Sequence, residues 1–315
     1  MKLKVLNLSK TELKSIELPE QFYEPVRLDL IKRAVHVIQS NKKQPYGANP
    51  DAGKRASAKV SRRRHDYRGS YGKGISRVPR KILSRRGTQM NWVGAFAPGT
   101  VGGRRAHPPK AEKIITEQIN IKERRKAIRS ALSASLKKDL VEKRGHKVPE
   151  AYPFIIEDAF EEISTTKELC LILKKLGFEQ ELERVKVKTI NAGKGKLRGR
   201  KYKTKTGPLF VISKDCNLKK AAKNLTGFDV EKIEKINVEL LAPGTHPGRL
   251  TLYTESAITK LGKEKLFTKN YKKNQEIKEE EQIKEIKQEK ESKAKTKKAP
   301  STTKPKSKST INAKK

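Results

Sequence analysis

The chain has 315 residues, and its 75 Lys and Arg outnumber its 35 Asp and Glu, which gives a formal net charge of +40. Because like charges oppose compaction, folding does not need this excess, and it indicates a polyanionic partner such as nucleic acid. The sequence has no apolar run long enough for a signal peptide or a membrane span. We therefore expect a soluble, cytoplasmic protein with no membrane partner.

The positive charge is not explained by the carboxy-terminal tail. Residues 41–110 contain 18 Lys and Arg against 2 Asp, whereas residues 271–315 contain 15 Lys against 7 Glu. The early segment therefore has the higher charge density. This distribution disfavours the alternative that the charge belongs only to a solvated lysine-rich tail.

The first 41 residues predict a strand and a helix. Residues 2–8 alternate polar and apolar side chains, which is typical of a strand. Pro25 suits the first position of an amphipathic helix of about four turns. The apolar residues of this helix recur at helical spacing and are Leu30, Ile31, Ala34, Val35 and Ile38.

Regularity stops between residues 41 and 110. Only ten of these 70 residues are Val, Ile, Leu, Met, Phe or Trp, and ten others are Gly. The apolar residues show no sustained period of 2 or 3.6. A loop of this length is uncommon in a compact domain unless it is functional or disordered, so we predict a long irregular arm.

Regular patterns return after the arm. Residues 120–145 predict a helix, with Asn120 and Glu123 spaced as a capping box and Gly145 suited to a helix end. Residues 152–158 predict a buried strand.

A second capping-box pattern follows. Thr165 and Glu168 predict the start of a helix, and Gly177 predicts its end. The remaining patterns predict strands at 183–190, 208–213 and 235–244, a basic loop at 194–208, a helix from Asn217 to about Leu225, and a final strand and helix in RLTLYTESAITKL.

Strands that alternate with helices predict an α/β fold with a largely parallel sheet in a Rossmann-like layered domain. We expect this globular domain to comprise residues 1–43 and 111–269, with the basic arm at 44–110. Residues 270–315 contain little to bury, which predicts a disordered tail. A charged solvated helix over 276–298 is a less favoured alternative.

Enzyme signatures are weak. GANPDAGK has the wrong glycine spacing for a phosphate-binding loop, and GKGKLRG has a displaced third glycine for a dinucleotide site. Cys170, Cys216 and the five His residues lack metal-ligand spacing. We therefore expect no enzyme activity, cofactor or metal.

The stretch RRRHDYRGSYGKGISRVPRKILSRRG, residues 62–87, suits RNA. Arg offers a planar fork for phosphate oxygens, Gly permits close backbone approach, and Tyr67 and Tyr71 can stack on unpaired bases. A disordered basic linker is the alternative, but a linker gains nothing from Trp92 or Phe96. GKGKLRGRKYK repeats the composition on a smaller scale and predicts a second contact.

Four stretches occur in the order found in a known family. The chain resembles large-subunit ribosomal protein four of the universal family, in its archaeal and eukaryotic form, over about residues 1–266. The stretches are GKRASAKVSRRRHDYRGSYGKGISRVPR, NWVGAFAPGTVGGRRAHPPK, GKGKLRGRKYKTKTGPLFVIS and LLAPGTHPGRLTLYTESAI.

The resemblance implies a globular domain on the outside of the large ribosomal subunit and an arm, about Gln44 to Pro109, that threads into large-subunit (23S-type) rRNA. It also implies that the arm's far end, within Arg62–Trp92, lines part of the nascent-polypeptide exit tunnel. The implied partners are this rRNA, neighbouring ribosomal proteins and the nascent polypeptide.

Composition and the resemblance together predict the rRNA-binding residues. In the arm they are Arg55, Arg62, Arg63, Arg64, Tyr67, Arg68, Tyr71, Lys73, Arg77, Arg80, Lys81, Arg85, Arg86, Trp92, Arg104 and Arg105. In the globular domain they are Lys194, Lys196, Arg198, Arg200, Lys201 and Arg249. The alternatives are a general basic nucleic-acid-binding protein and an RNA-processing enzyme outside the ribosome.

Overall fold

The computed structural model describes residues 1–268, and the predicted tail lies outside them. The described chain divides into two compact units. Among the described residues, the larger unit comprises residues 1–36 and 119–268, and the smaller unit comprises residues 37–118.

Ten strands occur among the described residues. In chain order they are β1 (Lys2–Leu6), β2 (Glu12–Glu17), β3 (Arg80–Arg86), β4 (Gln89–Gly94), β5 (Ile155–Ile156), β6 (Lys188–Ile190), β7 (Tyr202–Thr204), β8 (Leu209–Ile212), β9 (Asp229–Lys232) and β10 (Thr251–Thr254).

Nine α-helices occur in the same part of the chain. They are α1 (Leu28–Asn41), α2 (Ile121–Ser135), α3 (Lys138–Lys143), α4 (Thr166–Lys175), α5 (Glu179–Lys186), α6 (Lys194–Leu197), α7 (Leu218–Lys223), α8 (Val238–Leu241) and α9 (Glu255–Lys263).

A six-stranded sheet organises the larger unit, in the order β2-β1-β5-β10-β8-β9. Only the β1–β2 pair is antiparallel, and the other neighbours are parallel. Every residue of β8 and β10 is buried, as expected for parallel strands covered on both faces. The predicted α/β class with a largely parallel sheet is confirmed.

The two faces of β10 pack into different layers. Leu252 joins a hydrophobic cluster that includes Phe160 and Phe210, whose ring centroids lie 5.3 Å apart. Tyr253 points the other way, where its ring meets Phe22 edge-on at 5.4 Å and its hydroxyl lies 2.8 Å from Ser135 Oγ of α2. Both faces of the sheet are therefore covered, because successive strand residues alternate sides.

The predicted helix ends agree in part with the structure. Thr165 Oγ1 accepts a hydrogen bond from Glu168 N–H at 3.3 Å, which confirms this cap. Asn120 is the residue before α2, but its side chain makes no capping hydrogen bond. Gly145 and Gly177 have φ angles of 92° and 95°, the left-handed conformation typical of helix ends. Pro25 precedes α1 by three residues, so its predicted position was wrong.

The strand predicted at 183–190 was correct only at its end, where β6 lies, and the strand predicted at 235–244 was wrong, because the chain forms helices there. Residues 183–186 belong to α5, where Phe178, Leu182 and Val185 recur at helical spacing, with Phe178 and Val185 buried. Residues 235–244 contain α8, which Asn237 caps by accepting from Leu240 N–H at 2.9 Å. The strand nearby is β9 instead, at the edge of the sheet.

Candidate nucleic-acid interface

The smaller unit contains a two-stranded hairpin inside the segment that was predicted to be irregular. β3 and β4 pair antiparallel, with Ile82 opposite Trp92 and Arg86 opposite Gln89. Gly87, in the two-residue turn, has φ of 55°, a conformation that suits tight hairpin turns. The register shifts between Ile82 and Ser84. This bulge interrupts the period of two, which is why the sequence pattern missed the hairpin.

Trp92 gathers two cations on the hairpin. Its ring lies 5.2 Å from Lys73 Nζ and 5.6 Å from Arg80 Cζ. Along β4, half-buried and exposed residues alternate, and Trp92 is half-buried. The ring therefore holds positive charge against one face of the hairpin through cation–π attraction.

The two predicted tyrosines hold arginines in the same way. Arg77 Cζ lies 4.4 Å from the ring centroid of Tyr71, and Arg85 Cζ lies 4.7 Å from that of Tyr67. Phe96 lies under Arg104 at 5.9 Å. Arg85 Nε also donates to the Gly87 carbonyl at 2.9 Å. A guanidinium supported on one face by a ring can direct its remaining N–H groups at phosphate oxygens.

The predicted arm cations have no acidic partner within residues 1–268. Within the described residues, none of Arg55 to Arg105 takes part in an ion pair. Most of the predicted arm residues are exposed, and a smaller group is half-buried. The half-buried group consists of Arg68, Tyr71, Arg80, Trp92 and Arg104.

The two ends of the predicted arm lie side by side. Ala48 N–H donates to the Pro109 carbonyl at 2.9 Å. A Cβ on Gly47 would lie 2.4 Å from Ala111 N, and one on Gly53 would lie 2.5 Å from Arg104 N. The glycines of GANPDAGK therefore serve close backbone packing, in agreement with the rejection of a phosphate loop.

A second basic hairpin lies in the larger unit. β6 and β7 pair antiparallel, with Lys188 opposite Thr204, and α6 lies between them. Asn191 Nδ2 donates to the Arg200 carbonyl at 2.7 Å, which fastens the base of the connection. All five predicted cations on this basic hairpin (residues 188–204) are exposed, namely Lys194, Lys196, Arg198, Arg200 and Lys201. The prediction of a plain loop at 194–208 was therefore wrong, since α6 and β7 lie within it.

Arg249 is the one predicted contact residue whose surroundings rule out the predicted role. Its side chain is 1 % exposed. It donates to the carbonyls of Gly207 and Leu240 at 2.9 and 3.1 Å and to the Asp229 carboxylate at 2.5 Å. The prediction that Arg249 contacts RNA was wrong, because its buried guanidinium is hydrogen-bonded inside the domain to segments that are distant in sequence.

A basic cleft of about 1010 Å³ was missed by sequence reasoning. It lies between the end of α3, the end of β7 and the turn at 245–247, and we call it the basic cleft. Six Lys and Arg and no Asp or Glu line it within the described chain. The sequence signal was the alternation of Lys201, Lys203 and Lys205, of which Lys201 and Lys203 belong to the stretch that predicted a second RNA contact.

Metal and membrane features are not found in the described part of the chain. No group of three or more His, Cys, Asp and Glu within residues 1–268 is placed to hold a metal ion. No helix there is long and apolar enough to cross a bilayer. Cys170 and Cys216 are both free thiols and half-buried.

Comparison with known proteins identifies the family. The model of the ribosomal protein L4/L1 family matches residues 16–264. The chain is 50 % identical over 269 residues to the large ribosomal subunit protein uL4 of Nanoarchaeum equitans, which covers 85 % of this chain and all of that protein. It is 48 % identical to the protein of the same name from Methanosphaera stadtmanae and 44 % identical to that of Archaeoglobus fulgidus. These matches cover 85 % and 83 % of this chain and 98 % of each relative. The chain belongs to the ribosomal protein L4/L1 family.

Proposed function

We propose that the protein is a structural constituent of the large ribosomal subunit in the cytoplasm and that it binds the rRNA of that subunit. The observation that carries this proposal is the set of exposed arm cations without acidic partners in the described chain. Membership in a ribosomal protein family and the name shared by the relatives support it. The same membership agrees with a structural protein rather than an enzyme.

The arm suits folded RNA better than a regular duplex. The hairpin β3–β4 presents guanidiniums stacked on aromatic rings, and such groups can contact phosphates or stack on exposed bases. Gly72 and Gly74 have positive φ angles and open space around them. The backbone can therefore follow an irregular surface there without a side chain in the way.

We assign the arm to residues 44–110, with the globular domain formed by residues 1–43 and 111–269. Its far end falls within Arg62–Trp92, and the Gly87–Thr88 turn lies in this range. In this proposal the far end lines part of the nascent-polypeptide exit tunnel beside neighbouring ribosomal proteins. The arm supports subunit assembly because its Lys and Arg side chains neutralise the phosphates of rRNA segments and so allow these segments to lie close together.

Ultraviolet crosslinking in cells tests the proposal. The bound RNA is sequenced, and the crosslinked peptides are mapped by mass spectrometry. We expect reads concentrated on large-subunit rRNA and peptides from residues 54–105. Reads scattered over messenger RNA or DNA, or peptides that come only from residues 271–315, would replace the proposal with general nucleic-acid binding. The enzyme alternative requires that replacement of a single His or acid in residues 111–269 abolish a measured turnover of RNA.

A further inference from the structure

The basic cleft contains a positive charge that no carboxylate of residues 1–268 neutralises. The guanidiniums of Arg144 and Arg184 line the cleft, and the buried guanidinium of Arg249 lies near that of Arg144. Arg184 contacts the Glu181 carboxylate at 2.6 Å and Arg249 contacts that of Asp229 at 2.5 Å. Arg144 has no ion-pair partner among the described residues and donates instead to the carbonyls of Pro243, at 2.7 Å, and His246.

The environment of Arg144 is unfavourable for a cation. Burial, together with the neighbouring Arg249 and Arg184, lowers the pKa of Arg144 to about 10. A partly buried charge is costly unless an opposite charge accompanies it. An anion in the cleft would supply that charge.

The groups at the mouth of the cleft match a phosphate. Lys143, Lys203 and Lys205 are exposed there, and the hydroxyls of Thr189 and Thr204 lie on the same lining. Ammonium, guanidinium and hydroxyl groups are donors for phosphate oxygens. The lining lacks the carboxylates that a divalent cation would need, at least within residues 1–268.

The shape of the cationic surface favours an extended polyanion. The cleft is open and larger than a single phosphate needs. Lys201, Lys203 and Lys205 follow one another along an extended segment. Alternate residues of a strand are separated by about 6.7 Å, close to the distance between successive phosphates of an RNA strand. The segment also leads back to the exposed cations of the basic hairpin, so one charged track joins both.

We propose that the basic cleft binds a segment of RNA backbone, with Arg144 contacting a phosphate at its inner wall and Lys143, Lys203 and Lys205 contacting phosphates at its mouth. This inference rests on the proposed rRNA-binding function and adds a contact in the globular domain that is separate from the arm. An acidic peptide of a neighbouring protein is the competing occupant.

Lysine footprinting tests the inference directly. The full-length protein is acetylated with a lysine-reactive ester, alone and with in vitro transcribed large-subunit rRNA of its own organism, and the modified sites are quantified by mass spectrometry. We expect at least a fivefold lower rate for Lys143, Lys203 and Lys205 when rRNA is bound. Lys214, Lys220 and Lys223 are exposed on the same unit outside the cleft and serve as matched controls.

The footprint separates this inference from the proposed function. Protection of Lys73 and Lys81 without protection of the cleft lysines would overturn the inference and leave the arm as the interface. If rRNA protects neither the arm lysines nor the cleft lysines, both the inference and the proposed function would be overturned. Protection of the cleft that requires ribosomal proteins in addition to rRNA would assign the cleft to a protein partner and overturn the inference.

A charge-matched pair of variants provides the second measurement. K143A/K203A/K205A removes three cations from the cleft, and K214A/K220A/K223A removes three from elsewhere on the same unit. For single-stranded nucleic acid, each phosphate contact contributes about 0.7 to the steepness of the plot of log binding constant against log salt concentration. The first variant loses three such contacts, so its plot should be shallower by about 2. This corresponds to roughly 100-fold weaker rRNA binding at about 0.1 M salt. Equal losses in both variants would show nonspecific attraction and overturn the inference.

Discussion

His146 Nδ1 lies 2.7 Å from Glu181 Oε1, and both side chains are almost fully buried. Arg184 donates to the same carboxylate at 2.6 and 2.7 Å, and Lys147 N–H donates to it at 2.9 Å. This cluster ties the segment after α3 to α5. It also neutralises Arg184, so Arg144 is the guanidinium of the basic cleft that has no carboxylate among the described residues.

The His146–Glu181 pair makes stability depend on pH. Burial lowers the pKa of His146, and the Glu181 carboxylate offsets this only in part. Burial would raise the pKa of Glu181, but hydrogen bonds from Arg184 and His146 outweigh it and hold that pKa below its ordinary value. Below about pH 6.5 the unfolded chain takes up a proton at His146 more readily than the folded chain does. Below about pH 4.5 the same becomes true of Glu181.

We therefore expect the free energy of unfolding to fall as the pH drops from about 7.5 to about 4. Urea unfolding followed by far-ultraviolet circular dichroism at several pH values measures it. H146Q should remove part of the dependence between about pH 7 and about pH 5, whereas H36Q, at an exposed histidine of α1, should leave it unchanged. Equal pH profiles for H146Q and the natural protein would contradict the assignment.

Arg249 is expected to act on stability rather than on RNA affinity. R249A removes the Arg249 donor from the carbonyls of Gly207 and Leu240, whereas the Gly227 carbonyl keeps the Gly207 N–H at 2.9 Å. Each unsatisfied buried acceptor costs about 1–3 kcal/mol, so two of them predict a loss of at least about 2 kcal/mol. Urea unfolding measures the loss. R198A, at an exposed arginine of the basic hairpin, should change stability by less than about 0.5 kcal/mol.

An R249A protein as stable as the R198A protein would show that these hydrogen bonds contribute little. A fully folded R249A protein that loses rRNA affinity would restore the original prediction that Arg249 contacts RNA.

Trp92 provides a specific probe of the arm, because it is the only tryptophan of the chain. Its ring lies under Lys73 and Arg80, so any RNA that contacts these cations changes the surroundings of the indole. We expect rRNA to change the intensity or wavelength of the tryptophan emission, with saturation at the same concentration as binding measured by filter retention.

If the natural protein becomes saturated with rRNA while the Trp92 emission stays constant, the RNA binds away from the hairpin β3–β4. K143A/K203A/K205A offers a control, since it should weaken binding and leave the amplitude of the Trp92 change intact. Loss of that amplitude would show that the cleft variant also disturbs the arm.

Gly53 and Gly72 allow backbone strain to be separated from close packing. Both have φ of +72°, so alanine at either position costs about 1 kcal/mol of strain. A Cβ on Gly53 would also lie 2.5 Å from the backbone of Gly103 and Arg104, whereas a Cβ on Gly72 meets nothing within 4 Å. We therefore expect G53A to loosen the paired ends of the arm more than G72A does.

Amide hydrogen exchange over residues 44–110 measures this difference. G53A should accelerate exchange near Ala48 and Arg104, and G72A should affect only its own neighbourhood. Indistinguishable exchange in the two variants would show that the close approach at Gly53 does not hold the ends of the arm together.

Composition and local pattern were sufficient for much of the result. The charge of residues 41–110 predicted the exposed cations, since so few apolar residues cannot cover them. The buried strand β8 was predicted because its continuous apolar run LFVI is typical of a parallel strand. Thr165 was recognised as a cap, because capping depends on neighbours three residues apart.

Tertiary structure decided what local pattern could not. Arg249 and Arg200 have the same side chain, but Arg249 is enclosed by loops that are distant in sequence, so the one is buried and the other exposed. The basic cleft depends on the end of α3, the end of β7 and the turn at 245–247 coming together, and no short window of sequence contains all three. The physical reason is that burial and charge compensation are set by contacts between segments far apart in the chain, whereas periodicity and capping are set within a few residues.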